Sequence, residues 1–175
     1  MNERLAKIRI KVKFHNINLI CAHASTEEKG NAVKFAFYAN IENLYDKWPA
    51  HDIKIIVGDF NVKIGQEGIS GPTVGPFSLH TTTLPNGVRL IDFASVVCSI
   101  ILQHLNIHKA TWLSADRSMR NQIDHVVIDG RYASNVLDVR TFHGPNMDSN
   151  HFLVAAKVLM RISTSQEFSL VCRES

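Results

Sequence analysis

Cysteine is scarce in this sequence: 175 residues hold three, Cys21, Cys98 and Cys172, far apart and odd in number. No Cys-x-x-Cys pair occurs, which argues against a thiolate zinc site. Cys21 and Cys98 sit in apolar runs and read as buried thiols, in keeping with a reducing, intracellular setting. Long hydrophobic runs are missing too. The apolar stretches are short and broken by Lys, His and Asp, so no membrane span is expected. The segment Met1–Lys7 has no apolar signal core. Neither sign of charge dominates: 19 Lys plus Arg against 16 Asp plus Glu leaves +3, which permits contact with nucleic acid without demanding it. Several catalytic signatures fail as well. His104 and His108 are four apart, but no HExxH exists. The stretch Gly68-Ile69-Ser70-Gly71-Pro72 breaks the serine-hydrolase elbow, and no Walker loop is present.

What is present suits one compact domain over residues 1–163 with a loose tail at 164–175, since 45% of the chain is hydrophobic. Ile8, Ile10, Val12 and Phe14 alternate with Arg9, Lys11 and Lys13, the period of a half-buried strand with a basic outer face. A turn at His15-Asn16 leads into a second strand, Ile17–Ala22, forming a hairpin. Ser25 and Glu28 have capping-box spacing, and Phe37, Ile41, Leu44, Tyr45 and Trp48 recur at helical spacing until Pro49. Ile53–Val57 reads as a buried strand. Residues 65–89 hold five of the nine glycines and three of the five prolines, which predicts a long loop with an Asn86-Gly87 turn. A second helix is expected over Val88–Leu102. Strands are expected at Asn106–Leu113, Ile123–Ile128, Val136–Phe142 and His151–Ile162.

Three segments place polar groups at the mouths of apolar strands. Asp59 and Asn61 follow the third strand at a spacing of two, which in extended backbone points both to one side. A carboxylate beside an amide there suits phosphate chemistry, with the carboxylate orienting water or holding a hard cation and the amide donating to a phosphoryl oxygen. The same tetrapeptide, Gly58-Asp59-Phe60-Asn61, reads equally well as an Asx-turn capping the strand. Asp124 and His125 are neighbours on a strand, so only one of them reaches a shared site. His151 opens the last strand and can act as a general base or stabilise a transferred phosphate; a histidine satisfied at a strand end is the commoner case. Converging at one end of a sheet, the three segments would build a site of the kind α/β scaffolds carry.

Taken together, GDFN (58–61), QIDH (122–125) and DSNH (148–151), in that order, resemble the endonuclease/exonuclease/phosphatase family. The flanks HASTEEK (23–29), HDIKIIVGDFNVKIG (51–65), NIHKATW (106–112) and RNQIDHVVIDGRYAS (120–134) look like the endonuclease domains of non-LTR retrotransposons. The likeness runs from about Arg9 to Ser163. It implies an α/β fold, a partial four-layered sandwich of two mostly antiparallel sheets with flanking helices. It implies a phosphodiester hydrolase acting on DNA with Mg²⁺ or Mn²⁺, in a nuclear setting. Carried over, Asp59 would activate water and bind the metal, Asn61 would hold the scissile phosphate, and Asp124 would orient His151. His151 would stabilise charge growing on the phosphate. His23 would contact phosphate, and Arg117 and Arg120 would border the DNA.

The resemblance also marks two departures. The family's closing motif is Ser-Asp-His, whereas this chain reads Ser149-Asn150-His151. Asn150 would meet the metal with a carbonyl oxygen but no charge and no proton to transfer, a loss worth about 10²–10⁴ in rate where the Asp does acid–base work. Asp148, two residues upstream, is an ordinary flanking residue of this subgroup. The family's early strand with an Asn and helix with a metal-binding Glu have no counterpart after Met1. The expectation is therefore a shortened domain of reduced or lost activity, or a non-catalytic remnant that binds DNA weakly or a protein partner. Such a partner would cover an exposed sheet edge, without which the isolated chain is expected to be poorly soluble.

Overall fold

A computed structural model describes residues 3–12, 15–67, 73–74, 78–101, 109–142, 149–160 and 166–172. The expectations that touch Lys13, Phe14, His104, His108 and Asp148 lie outside them. The chain opens with a hairpin of β1 (Leu5–Ile10) and β2 (Ile17–His23), paired antiparallel. Helix α1 (Asn31–Asp46) then crosses over to β3 (Ile53–Asp59), which lies parallel to β2. Helix α2 (Pro85–Val97) runs into β4 (Cys98–Ile101). The two-residue strands β5 (Trp112–Leu113) and β6 (Arg120–Asn121) form a small hairpin ahead of β7 (Asp124–Asp129). A 3₁₀ turn at Gly130–Asn135 leads to β8 (Val136–Phe142), β9 (Leu153–Met160) and β10 (Gln166–Cys172). The main sheet has the order β1-β2-β3-β7-β4 and the second β10-β9-β8.

Strand periodicity sorts the core into two compartments. On one face of the main sheet Ile20, Ile56 and Val127 meet Phe37 and Ile41 of α1 and Leu90, Ile91 and Ala94 of α2. On the other face Ile17, Ile53, Ile55, Val57, Val126 and Ile128 meet Val139 of β8 and Ala156 and Val158 of β9. The described residues thus stack as helices, sheet and sheet, which gives the α/β sandwich expected from the sequence, with both helices on the same side. A central strand apolar on both faces is what a buried strand between two layers requires, and every residue of β3 is buried. β1 is an edge strand, and Ile8 on it is 56% exposed.

Local readings differ from the structure at four places. The capping-box pair is not used: α1 starts after Gly30 with no side-chain cap, and Ser25 is buried in the preceding loop. Pro85 and Asn86-Gly87 fall inside the first turn of α2 rather than in a loop; proline's fixed φ suits that position. Residues 98–101 leave the helix to pair with β7. Residues 166–172, expected within a loose tail, form β10 along β9 from Val154 to Met160. The neighbour strand supplies the order that the segment's own pattern does not.

Candidate active site

The mouth of the main sheet is built by register. His23, at the end of β2, pairs with Asp59, at the end of β3, and Asp59 pairs with Asp124, at the start of β7. Side chains directly opposite in a ladder share a face. All three keep step with the residues that look toward the second sheet, so an imidazole and two carboxylates stand in a row at one edge of the inter-sheet core. Both carboxylates are buried, Asp59 at 3% and Asp124 at 9% exposure.

The chain turns sharply beyond β3. Gly58 has φ of 142°, and a Cβ there would sit 2.0 Å from the Ala22 carbonyl oxygen, so a side chain is excluded. Asn61 adopts φ of 52°, a left-handed conformation that Asn tolerates better than most residues. Its backbone N–H donates to Asp59 Oδ1 at 2.7 Å, and its Nδ2 donates to Asp59 Oδ2 at 2.8 Å and to the Ala24 carbonyl at 3.0 Å. The Asx-turn and the site are therefore one object: the turn fixes the Asp59 carboxylate.

His151 reaches the same row from another direction. Its Nδ1 lies 3.2 and 3.3 Å from the two oxygens of Asp124, and its Nε2 is 4.0 Å from Asp59 Oδ2. His23 Nε2 stands 3.8 Å from that Asp59 oxygen. The carboxylate on Nδ1 fixes ring orientation and leaves Nε2 turned to Asp59, the arrangement of an oriented histidine base or acid. The segment carrying His151 is clipped to β5 by Leu113 N–H donating to the Asn150 carbonyl at 2.9 Å and Phe152 N–H donating to the Thr111 carbonyl at 2.7 Å. The fully buried Thr111 hydroxyl meanwhile accepts from the N–H groups of Ile123 and Asp124. Thr111 is the positioning residue that the sequence reading passed over. Its only signal was its place in the NIHKATW stretch, where a threonine before an aromatic looks like ordinary strand.

The remaining predicted residues stay apart from this cluster. Asn150 is exposed and enters through its backbone carbonyl. Arg117, with φ of 59°, and Arg120 are exposed on the β5–β6 hairpin. Asp116 braces its loop, accepting from Ser114 and Ser118, and those bonds hold its carboxyl down at about 2. His125 faces the helix side, fully buried, with Nε2 against the Val62 carbonyl at 3.1 Å. Burial pushes its pKa down to about 4 against weaker opposing effects of Val62 and Asp124. His80, also depressed by burial and by Lys63, accepts the Gln122 N–H.

A hard divalent ion requires about six oxygen ligands, several of them charged. Asp59 is held by Asn61, and Asp124 is engaged by His151. Among the described residues no group of three or more His, Cys, Asp or Glu side chains is placed to hold a metal. The residues described here do not by themselves complete a Mg²⁺ site.

No protein-family model matches the chain. In sequence it is 31% identical over 165 residues, 92% of its length, to craniofacial development protein 2 of Tragulus javanicus, and 30% identical to that of Bos taurus. It spans 28% of the length of either relative. In structure it is similar to the endonuclease domain of TRAS1, a telomere-specific non-LTR retrotransposon, with a TM-score of 0.60 and 14% identity, covering 85% of this chain and 60% of that one. It is also similar to D. rerio TDP2 complexed with single-strand DNA product (TM-score 0.52, 13% identity, 85% and 58% covered). An endonuclease/exonuclease/phosphatase family protein from Leptotrichia buccalis matches at a TM-score of 0.51 and 13% identity, with 88% and 52% covered. The architecture and these likenesses agree: the chain has an endonuclease/exonuclease/phosphatase-type fold and is similar in sequence to a segment of craniofacial development protein 2.

Proposed function

We propose that this chain is a retrotransposon-derived DNA phosphodiesterase domain whose own residues sustain weak hydrolysis at most. The observation that carries the reading is the in-register row of His23, Asp59 and Asp124 with His151 docked over it. In this reading Asn61 positions the phosphate, Asp59 orients the attacking water, and the Asp124-held imidazole of His151 faces the charge that develops on the phosphoryl oxygens. His23 contacts the phosphate from the open side. Arg117 and Arg120 border the strand being held, as exposed cations on a braced hairpin. The Mg²⁺ or Mn²⁺ that the resemblance implies would draw on Asp59 and Asn150. The neighbours by fold that act on or hold DNA support DNA as the substrate, and a nuclear setting belongs to the same reading. No helix among the described residues is long and apolar enough to cross a membrane.

Supercoiled plasmid with Mg²⁺ or Mn²⁺ tests the proposal. The parent protein is expected to nick it slowly, and Asp59→Ala to lose about 10²–10⁴ of that rate. Equal nicking by the two proteins would sink the catalytic reading. It would leave the second one, a non-catalytic nucleic-acid-binding remnant. That second reading is favoured by one observation, the exposed, uncharged Asn150 where the family motif has Asp.

A further inference from the structure

The helix layer covers the face of the main sheet opposite to the Asp59 row, and its outer surface takes no part in the proposed chemistry. Three contacts climb α1 and α2 in step. Arg89 Nη2 donates to Asn31 Oδ1 at 3.0 Å, the Tyr38 and Phe93 ring centroids are 5.8 Å apart, and Tyr45 and Val96 line one cavity. The two helices therefore run parallel, side by side. Between them lies a groove of about 370 Å³, lined by the Tyr38 and Phe93 rings and rimmed by Phe35, Glu42, Arg89 and Asp92.

Four side chains mark the corners of this face. Phe35 and Glu42 stand seven residues apart on α1, and Arg89 and Val96 seven apart on α2, each pair about 10 Å apart at the helical rise. Packed helices are themselves about 8–10 Å apart, so the corners form nearly a square. One diagonal is apolar and open to water: Phe35 is 64% and Val96 77% exposed. The other carries opposite charges, Glu42 and Arg89. Inside the chain these charges are not paired with each other. Arg89 meets Asn31 and the face of the Phe35 ring, 4.7 Å from its centroid, rather than a carboxylate. Neither Glu42 nor Asp92 forms an ion pair with a described residue. A two-fold axis along the Phe35–Val96 diagonal lays each apolar side chain against its own counterpart and exchanges the other two corners. Glu42 of each copy then meets Arg89 of the other. A closed dimer requires a patch complementary to itself in this way, and it removes the exposed phenyl and valine from water. We propose that the outer face of α1 and α2 is a self-association surface whose occupant is a second copy of this chain, with Phe35 at its centre and reciprocal Glu42–Arg89 pairs at its margins. The Asp59 row looks to the other side of the sheet and stays open in such a dimer, so the proposal stands whether or not that row is catalytic.

Sedimentation velocity of the full chain over a roughly hundredfold range of concentration reads this equilibrium. The parent is expected to pass from monomer to dimer and no further. Glu42→Arg and Arg89→Glu each set like charges together at both contacts, and Phe35→Glu brings two carboxylates together at the axis. Each should weaken dimerisation at least about tenfold while keeping the parent's circular dichroism. Mixing Glu42→Arg with Arg89→Glu restores opposite charges at both contacts. The mixture should therefore dimerise within a few-fold of the parent, although neither variant does so alone. Asn61→Ala should leave the equilibrium unchanged. A parent that stays monomeric throughout, or that assembles beyond two copies, overturns the proposal. So does a dimer that survives any of the three charge-changing substitutions, a mixture that stays monomeric, or a dimer lost in Asn61→Ala.

Discussion

Thr111 gives the site one hydroxyl and one carbonyl, and together they tie the strand bearing Asp124 to the segment bearing His151. Thr111→Val keeps the shape and removes the hydroxyl acceptor, leaving two N–H groups without an acceptor. A loss of about 1–3 kcal/mol is expected, read as a lower urea midpoint, together with a drop in nicking rate beyond what the stability loss explains. Thr111→Ser should recover both. Gly58 is the sharper case, because both its φ and its lack of space forbid a side chain. Gly58→Ala should cost upward of about 3 kcal/mol; a soluble, parent-like melting curve would contradict the geometry. At this scale the sequence was informative where chemistry is rare: Asp59, Asn61, Asp124 and His151 stand out as polar groups at strand ends. It was uninformative for Thr111, whose role exists only through partners 12, 13 and 41 positions away in the chain.

Among the elements, α1 shows how pattern and packing divide the work. Its apolar spacing foretold Phe37, Ile41 and Tyr45 facing the sheet, and all three are buried. Ile41 is wholly inaccessible, so Ile41→Ala should cost about 2–5 kcal/mol by transfer and cavity terms. On the outer face Phe35 is 64% exposed, so Phe35→Ala should shift stability by about 0.5 kcal/mol or less. Thermal melts of the two variants check the contrast. The helix starts were harder to read. Ser25 has the spacing of a capping residue but is buried in the loop ahead of the helix, and α1 opens without any side-chain cap. β4 and β10 illustrate the opposite limit. Neither has a pattern that separates it from helix or coil, and each is a strand because β7 and β9 present free hydrogen-bonding edges to it.

For the molecule as a whole, acid should act through His125. Its folded pKa of about 4 lies below the ordinary value of 6.5, so the unfolded chain takes up the proton first. Stability is fully present above about pH 6.5 and declines as pH falls toward 4, by about 3 kcal/mol in total. His80, depressed in the same direction, adds to the same limb. For the carboxyls of Asp52 and Asp129 burial is the largest single influence and pushes them up, but the combined hydrogen bonds from Asn18, Asn16 and Arg9, and from Arg131 and Tyr45, hold both below the ordinary value. Their contribution is lost only at lower pH, below the ordinary carboxylate range. Urea titrations from pH 8 to 4 should therefore show a slope that His125→Gln largely removes; an unchanged slope would reject the assignment.

The sequence by itself determined which segments alternate, which strands are buried on both faces, and which polar residues stand at strand mouths. Those are local properties, written in periodicity of two or 3.6 and in residue chemistry. Only the tertiary structure decided that His23, Asp59 and Asp124 share one row, that Thr111 braces them, and that Phe35, Glu42 and Arg89 line one groove. Register between strands far apart in the chain is set by how whole faces pack, and no single segment carries that information.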